Sequence, residues 1–301
     1  MENLPVDHFV TNMQFTAQTH RDVYAAIDPA KSSQKGKVVI ITGASQGLGA
    51  QAFAPSFAAA SPKAIVLVAR NADKLQEVAD TLAKSHPDVE TLVVPTDIGD
   101  PASVAALFDK VKEKYGHADV LVNNAAVFKA DQPVKDVDQQ LWWDEMTLNI
   151  RGTFLTTQSF LKLLPSPSTP ARIITLTTAA AYQVFPALSA YGISKLAVLQ
   201  LMSYVAAEHP NVIATALHPG VVSTAMTKEY FRRFALDTPQ LVGGIGVWLA
   251  GWEGVDRRFL SGRFVSANWD VEDLVGRSEE IVARDLLKVG LNAELGAELF
   301  K

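Results

Sequence analysis

The stretch Lys37-Val38-Val39-Ile40-Ile41-Thr42-Gly43-Ala44-Ser45-Gln46-Gly47-Leu48-Gly49 decides how this chain is read. Its first half is a run of β-branched apolar residues, the composition of a strand buried on both faces. Three glycines follow at once, and then an Ala/Phe-rich segment of helical composition. Strand, glycine turn and helix together receive a dinucleotide pyrophosphate. Gly43 permits the tight exit from the strand, Gly47 lets backbone N–H groups approach phosphate, and Gly49 lets the helix lie close on the sheet. The same residues also spell G-x-S-x-G around Ser45, the pattern of a nucleophile elbow. No Lys-Ser/Thr pair follows the glycines, which excludes a Walker A loop. A cofactor cradle and a serine nucleophile are the two readings that start here.

Outward from this stretch, apolar runs alternate with helical patterns. Ala64 to Ala69 reads as a second strand, Thr91 to Pro95 as a third, Asp119 to Val122 as a fourth, Arg172 to Thr177 as a fifth and Val212 to Leu217 as a sixth. A last strand falls near Gly262 to Ser266. Between them, Asp100 as N-cap and Pro101 at the first helical position start a helix whose apolar residues (Val104, Leu107, Phe108, Val111, Tyr115) recur at helical spacing until Gly116. Further helices are expected near 139–163, 190–207 and 240–251. Pro55 is awkward inside the first helix, where an interior proline costs about 3 kcal/mol, so that helix kinks or is short. This βαβ alternation predicts an α/β protein: a Rossmann-type, doubly wound parallel sheet of about seven strands flanked by helices, in a single domain. Residues 1–35 read as an N-terminal arm on the surface, 36–272 as the Rossmann domain, and 273–301 as a helical tail of that domain with Ile281, Leu286, Leu287 and Leu291 in register. Ala225 to Leu236 carries Tyr230, Phe231 and Phe234 beside Arg232-Arg233, just beyond a strand's carboxyl end. It is either an amphipathic surface helix or a substrate lid.

Composition narrows the class. Of 301 residues, 48% are hydrophobic and 20% charged, ordinary for a globular protein. A net charge of −5 gives no reason to expect nucleic-acid or membrane binding. There is no cysteine, so disulfides and thiolate metal sites are excluded, and no metal site is expected. No apolar run approaches the roughly 18 residues that span a bilayer, and no signal-peptide pattern opens the chain. A soluble cytoplasmic protein is the expectation.

Chemistry appears at Tyr191-Gly192-Ile193-Ser194-Lys195. Residues four apart share a helix face, so a lysine ammonium stands near a phenol. A free tyrosine titrates near 10, and a nearby positive charge favours the phenolate, moving it toward the range of a working general acid/base.

With these residues in order, the chain resembles the short-chain dehydrogenase/reductase family. Thr42 to Gly49 resembles its T-G-x-x-x-G-x-G, Asn123-Asn124-Ala125 its N-N-A-G with Ala126 in place of glycine, and Leu148-Asn149-Ile150 the segment of its catalytic asparagine. Tyr191 and Lys195 match its Y-x-x-x-K, and His218 to Thr224 its P-G segment along the nicotinamide. The match covers about 36–225 and, more loosely, 237–270. The resemblance implies catalytic Asn149, Thr178, Tyr191 and Lys195. It implies a cofactor site of Gly43, Ser45, Gln46, Gly47, Leu48, Gly49, Arg70, Asn71, Asp97, Ile98 and Asn124, completed by Tyr191, Lys195, Pro219, Gly220, Val222 and Thr224. Asp97-Ile98 would hold the adenine, and Asn149 a water that relays protons to Lys195. Thr178 stands where the family usually has serine. Its hydroxyl can still bond a carbonyl while its methyl crowds the site, so either Thr178 works or the site is specialised away from ordinary carbonyl reduction. Thr177, on the opposite strand face, is the weaker candidate.

The end of the second strand, Ala69-Arg70-Asn71, lacks the carboxylate that normally holds a cofactor without 2′-phosphate, and Arg70 can pair with that phosphate, so NADP(H) is expected. The reading is therefore an NADP(H)-dependent oxidoreductase interconverting a small-molecule carbonyl and an alcohol, with Tyr191 as general acid/base. A cofactor-binding protein with a non-redox or regulatory role is the alternative, and a Ser45 hydrolase the remote one. The arm and the segment 262–270 resemble fungal family members, many of secondary metabolism. Tyr182, Phe185, Tyr230 and Phe231 would suit an aromatic or polyketide-like substrate if they line the pocket. The resemblance also implies a homodimer or homotetramer through the two long helices.

Overall fold

The structure, a computed structural model, describes residues 4–293. Seven parallel strands form one sheet in the order β3-β2-β1-β4-β5-β6-β7. They are β1 (Val38–Thr42), β2 (Ala64–Ala69), β3 (Glu90–Pro95), β4 (Val120–Asn123), β5 (Ala171–Leu176), β6 (Val212–His218) and β7 (Phe264–Ser266). β1 pairs with β2 from Val38↔Ala64 to Thr42↔Val68, and with β4 from Val39↔Val120 to Ile41↔Val122. Chain order thus reverses between β1 and β4. A crevice must open at their carboxyl ends, where open α/β sheets bind ligands. Every residue of β1, β4 and β6 is buried, as continuous apolar runs demand.

Helices Ala54–Ala59, Ala72–Ser85 and Pro239–Leu249 cover one face, and Pro101–Tyr115, Thr153–Leu163 and Ser189–Glu208 the other. Pro55 is accommodated because the chain leaves the glycine turn in a wide turn over Gly49–Phe53. There Ala54 N–H bonds Gly49 O, and the α-helix begins only at Ala54. The helix expected over 139–163 runs as Gln139–Met146 and Thr153–Leu163, joined by a second wide turn at Thr147–Gly152. Threonine hydroxyls feed that distortion: Thr153 Oγ1 donates to Asn149 O at 2.7 Å and Thr156 Oγ1 to Gly152 O at 3.0 Å.

Ends of the chain lock onto β7. In the arm, Ile27 is buried, Trp269 Nε1 donates to Met13 O at 2.8 Å, and His20 Nε2 lies 2.7 Å from Asp270 Oδ2. Arg277 stacks its guanidinium 3.7 Å from the Phe15 ring centre. Buried Asp237 joins three elements, accepting from Val221 N (2.6 Å), Arg21 Nη1 (3.0 Å) and Asn268 Nδ2 (2.9 Å). The tail departs from the expected continuous helix. It is helical over Ser278–Ala283 with Ile281 fully buried, then turns so that Leu287 O accepts from Phe264 N at 2.8 Å and extends the sheet edge. Of its four apolar residues, Leu291 is exposed; residues 294–301 lie outside the described residues.

Candidate active site

A cleft of about 380 Å³ opens at the carboxyl ends of β1 and β4. Its floor is the glycine turn. Gly43 has φ +67° and no space for a side chain: a Cβ would stand 2.8 Å from Asn124 Nδ2 and 2.9 Å from Ala125 Cα. Gly49 packs against the same turn, its Cβ position 2.7 Å from the Gly43 carbonyl carbon. Gly47 differs. At φ +54° its Cβ position meets only Thr224 Cγ2 at 3.9 Å, so the turn is closed below and open above. Asn124 ties the turn to β4, donating from Nδ2 to Thr42 O at 2.8 Å and to Gly43 O at 3.2 Å.

Of the expected cofactor residues, the cleft is lined by Gly43, Ser45, Gln46, Gly47, Leu48, Arg70, Asn71, Asp97, Ile98, Asn124, Tyr191, Lys195, Pro219 and Thr224. Asn71 also caps the next helix, accepting from Lys74 N at 2.9 Å. Lys74, absent from the sequence reading, also lines the cleft, as does Arg70. Neither the Arg70 guanidinium nor the Lys74 ammonium has an ion-pair or hydrogen-bond partner among the described residues. An open glycine turn and two unpaired cations at the far end fit a phosphorylated dinucleotide. Gly220 and Val222 line an adjoining chamber instead. No histidine lines the cleft that Ser45 faces, so a serine nucleophile has no base there.

That chamber, of about 180 Å³, shares Leu48, Tyr191, Pro219, Thr224 and Met226 with the cleft and adds Thr178. Tyr191 thus borders both spaces. Its ring stacks on Phe128 with centroids 4.7 Å apart, and Lys195 Nζ lies 5.8 Å from its centre. Lys195 is 4% exposed and donates to Leu176 O at 2.8 Å. Burial lowers its pKa to about 8, partly offset by Glu145. Tyr191 is part-buried between the two spaces; desolvation pushes its pKa well above 10, and the Glu145 carboxylate adds to the rise. Glu145 itself is buried, its Oε2 accepting from the backbone N–H groups of Lys129 and Ala130.

Thr178 Oγ1 accepts from Ala180 N at 3.4 Å, which leaves its own proton available to a ligand in the chamber. The hydroxyl of Thr177 is spent on Lys195 O at 3.0 Å. Asn149 lines neither space. Its side chain accepts from Val127 N at 2.9 Å and donates to Val127 O (3.0 Å) and Ser194 Oγ (3.1 Å), holding the loop after β4 against the Tyr191 helix.

Phe185 and Phe231 line the chamber, whereas Tyr182 lines a separate groove and Tyr230 neither. Two further walls escaped the sequence. Phe9 comes from the arm and packs on Phe231 and Phe234 at 5.7 and 4.8 Å between centroids; Phe128 follows β4. Phe9 carries no periodicity or motif that could have marked it, while Phe128, three residues past Ala125, could have been found from its nearness to the N-N-A segment. The segment Glu229–Phe234 is a single 3₁₀ stretch that is exposed over Glu229, Tyr230, Arg232 and Arg233, while its Phe231 lines the chamber and its Phe234 is buried.

The short chain dehydrogenase family model matches residues 37–234. The chain is 36% identical over 289 residues to the short chain dehydrogenase mpl6 of Monascus purpureus, covering 91% of this chain and 95% of that one. It is 37% identical over 285 residues to the short chain dehydrogenase andI of Emericella variicolor, with the same coverage. Among solved structures, a short chain dehydrogenase from Salmonella enterica superposes with a TM-score of 0.70 at 25% identity, over 81% of this chain and 99% of that chain. The protein belongs to the short-chain dehydrogenase/reductase family and is an oxidoreductase of the nicotinamide-dependent type. No helix among the described residues is long and apolar enough to cross a membrane.

Proposed function

We propose that the protein is an NADP(H)-dependent oxidoreductase that interconverts a carbonyl and an alcohol, with Tyr191 as general acid/base. The observation that carries this reading is the position of Tyr191 on the shared wall of cleft and chamber, with Thr178 on the chamber side. When bound, the nicotinamide supplies or accepts the hydride. Everything else falls to the chain's own residues.

In the reducing direction the carbonyl oxygen needs two donors. Thr178 offers its free hydroxyl proton, and Tyr191 offers the phenol proton that completes the alcohol. A pKa raised by burial keeps that phenol neutral at physiological pH, the state required of a donor. Lys195, at about 8, exchanges protons near neutrality and can restore the phenol after transfer. Asn149 fixes the loop against which Phe128 stacks on Tyr191, so its role is positional. The two unpaired cations beside the cleft, together with the missing carboxylate after β2, support NADP(H) over NAD(H).

Tyr191→Phe removes the transferable proton and keeps the ring. It is expected to lower NADPH-driven carbonyl reduction by a factor of about 1,000 or more, while NADPH binding by fluorescence titration stays within about threefold. Full turnover in that variant removes tyrosine from the mechanism.

A further inference from the structure

His218, the last residue of β6, is 5% exposed; its Nδ1 is closed to solvent and has no hydrogen-bond partner among the described residues, which leaves Nε2 as the ring nitrogen that a guest can reach. On one side its ring lies nearly parallel to Phe264, 6.0 Å between centroids at 24°. On the other it lines the chamber that holds Thr178 and Tyr191. Packing alone does not call for an imidazole here. Phenylalanine or leucine would rest on Phe264 without leaving a dry nitrogen, and an unpartnered buried polar group carries a real penalty. Burial also lowers the His218 pKa to about 4, so the ring is neutral, with one donor and one acceptor nitrogen. Such a ring can bond either a hydroxyl or a carbonyl oxygen. Four phenylalanines, Phe9, Phe128, Phe185 and Phe231, stand in the chamber's walls among aliphatic residues such as Leu188 and Val222. Phe9 meets Phe185 at 6.1 Å and Phe231 at 5.7 Å between centroids, so arm and 3₁₀ stretch form a ring-lined roof. Aromatic walls favour a flat, ring-containing guest through offset and edge contacts.

We propose that His218 is the substrate-reading residue of this chamber, and that the substrate is an aromatic ketone or aldehyde carrying a second oxygen that hydrogen-bonds the imidazole while Thr178 and Tyr191 hold the reacting carbonyl. This rests on the carbonyl-reductase reading above and adds the substrate class to it. A site built to hydrogen-bond a substrate oxygen through Nε2 discriminates against the analogue that lacks it, because that nitrogen then loses water to the guest and gains no partner.

The test compares acetophenone and acetonaphthone with their ring-hydroxylated isomers, following NADPH consumption. In the unaltered protein at least one hydroxylated isomer is expected to exceed its parent in kcat/KM by about 10- to 100-fold. His218→Phe and His218→Leu are expected to bring that ratio close to one, mostly through KM, and His218→Gln to restore part of it. NADPH titration reports the folding of each variant, because His218 does not line the cofactor cleft. A hydroxyl preference that survives in a variant that still binds NADPH overturns the proposal, as does the absence of any preference in the unaltered protein. Inert aryl ketones beside reduced aliphatic aldehydes overturn it while leaving the carbonyl-reductase reading intact. No NADPH consumption with any carbonyl compound overturns both.

Discussion

Replacing Arg70 and Lys74 together by alanine tests the cofactor assignment most directly. Both side chains line the far end of the cleft without partners, so neither removal leaves a buried orphan, and folding should be little affected. A charge-assisted hydrogen bond contributes roughly 1.5–3 kcal/mol. Arg70 lies in solvent, so screening reduces each contribution toward about 1 kcal/mol or slightly more. Two cations acting on one phosphate then give about 2–3 kcal/mol, a weakening of NADPH by about 30- to 160-fold. NADH, which lacks the 2′-phosphate, should change by no more than about threefold. Parallel titrations of the two cofactors at about 20 mM and about 200 mM salt read this out, and the NADPH advantage of the unaltered protein should shrink at the higher salt. Equal weakening of both cofactors, or an unaltered protein that binds NADH as tightly as NADPH, refutes the assignment.

Other consequences concern stability. The buried Lys195 has a folded pKa of about 8 against 10.5 when exposed, so the folded state binds fewer protons between those values and stability rises with pH through that window. The penalty is full below about pH 8. Between about pH 7.5 and about 9.5 the protein without cofactor should gain on the order of 2 kcal/mol in urea unfolding, and Lys195→Met should lose that gain. Gly49→Ala would drive a methyl into the backbone of Gly43 and Ala44, which cannot yield; a cost of about 3 kcal/mol is expected, seen as a fall of about 6 °C in Tm together with weakened NADPH binding. Asp237→Ala strands Arg21 and the Val221 N–H; a loss of about 3–5 kcal/mol in chemical denaturation is expected, with faster proteolysis of the arm.

Much of the fold was legible in the residues. β1 and β2 announce themselves as apolar runs, and the Asp100-Pro101 start and Gly116 stop bracket a helix as found. The two wide turns were not legible. The second packs Gly152 against Ile98, a contact across the chain that no local pattern records. At the site, Tyr191 and Lys195 stand one helical turn apart and the three glycines lie within seven residues of one another, so each group was visible as a local motif. Lys74 was missed because it belongs to no such motif, and Phe9 because it reaches the chamber across some 200 residues of chain from Phe231.

By itself the sequence determined the parallel α/β sheet, the glycine turn and the phenol–lysine pair, because each is encoded by spacing within one turn or one strand. Tertiary structure alone decided that the phenol lies on the wall shared by cleft and chamber, where desolvation and Glu145 raise its pKa, and that the arm roofs the chamber. It also decided that a histidine at the end of β6 lines that space. Burial and facing are properties of surfaces brought together from distant segments, so they come into being only when the chain has closed on itself.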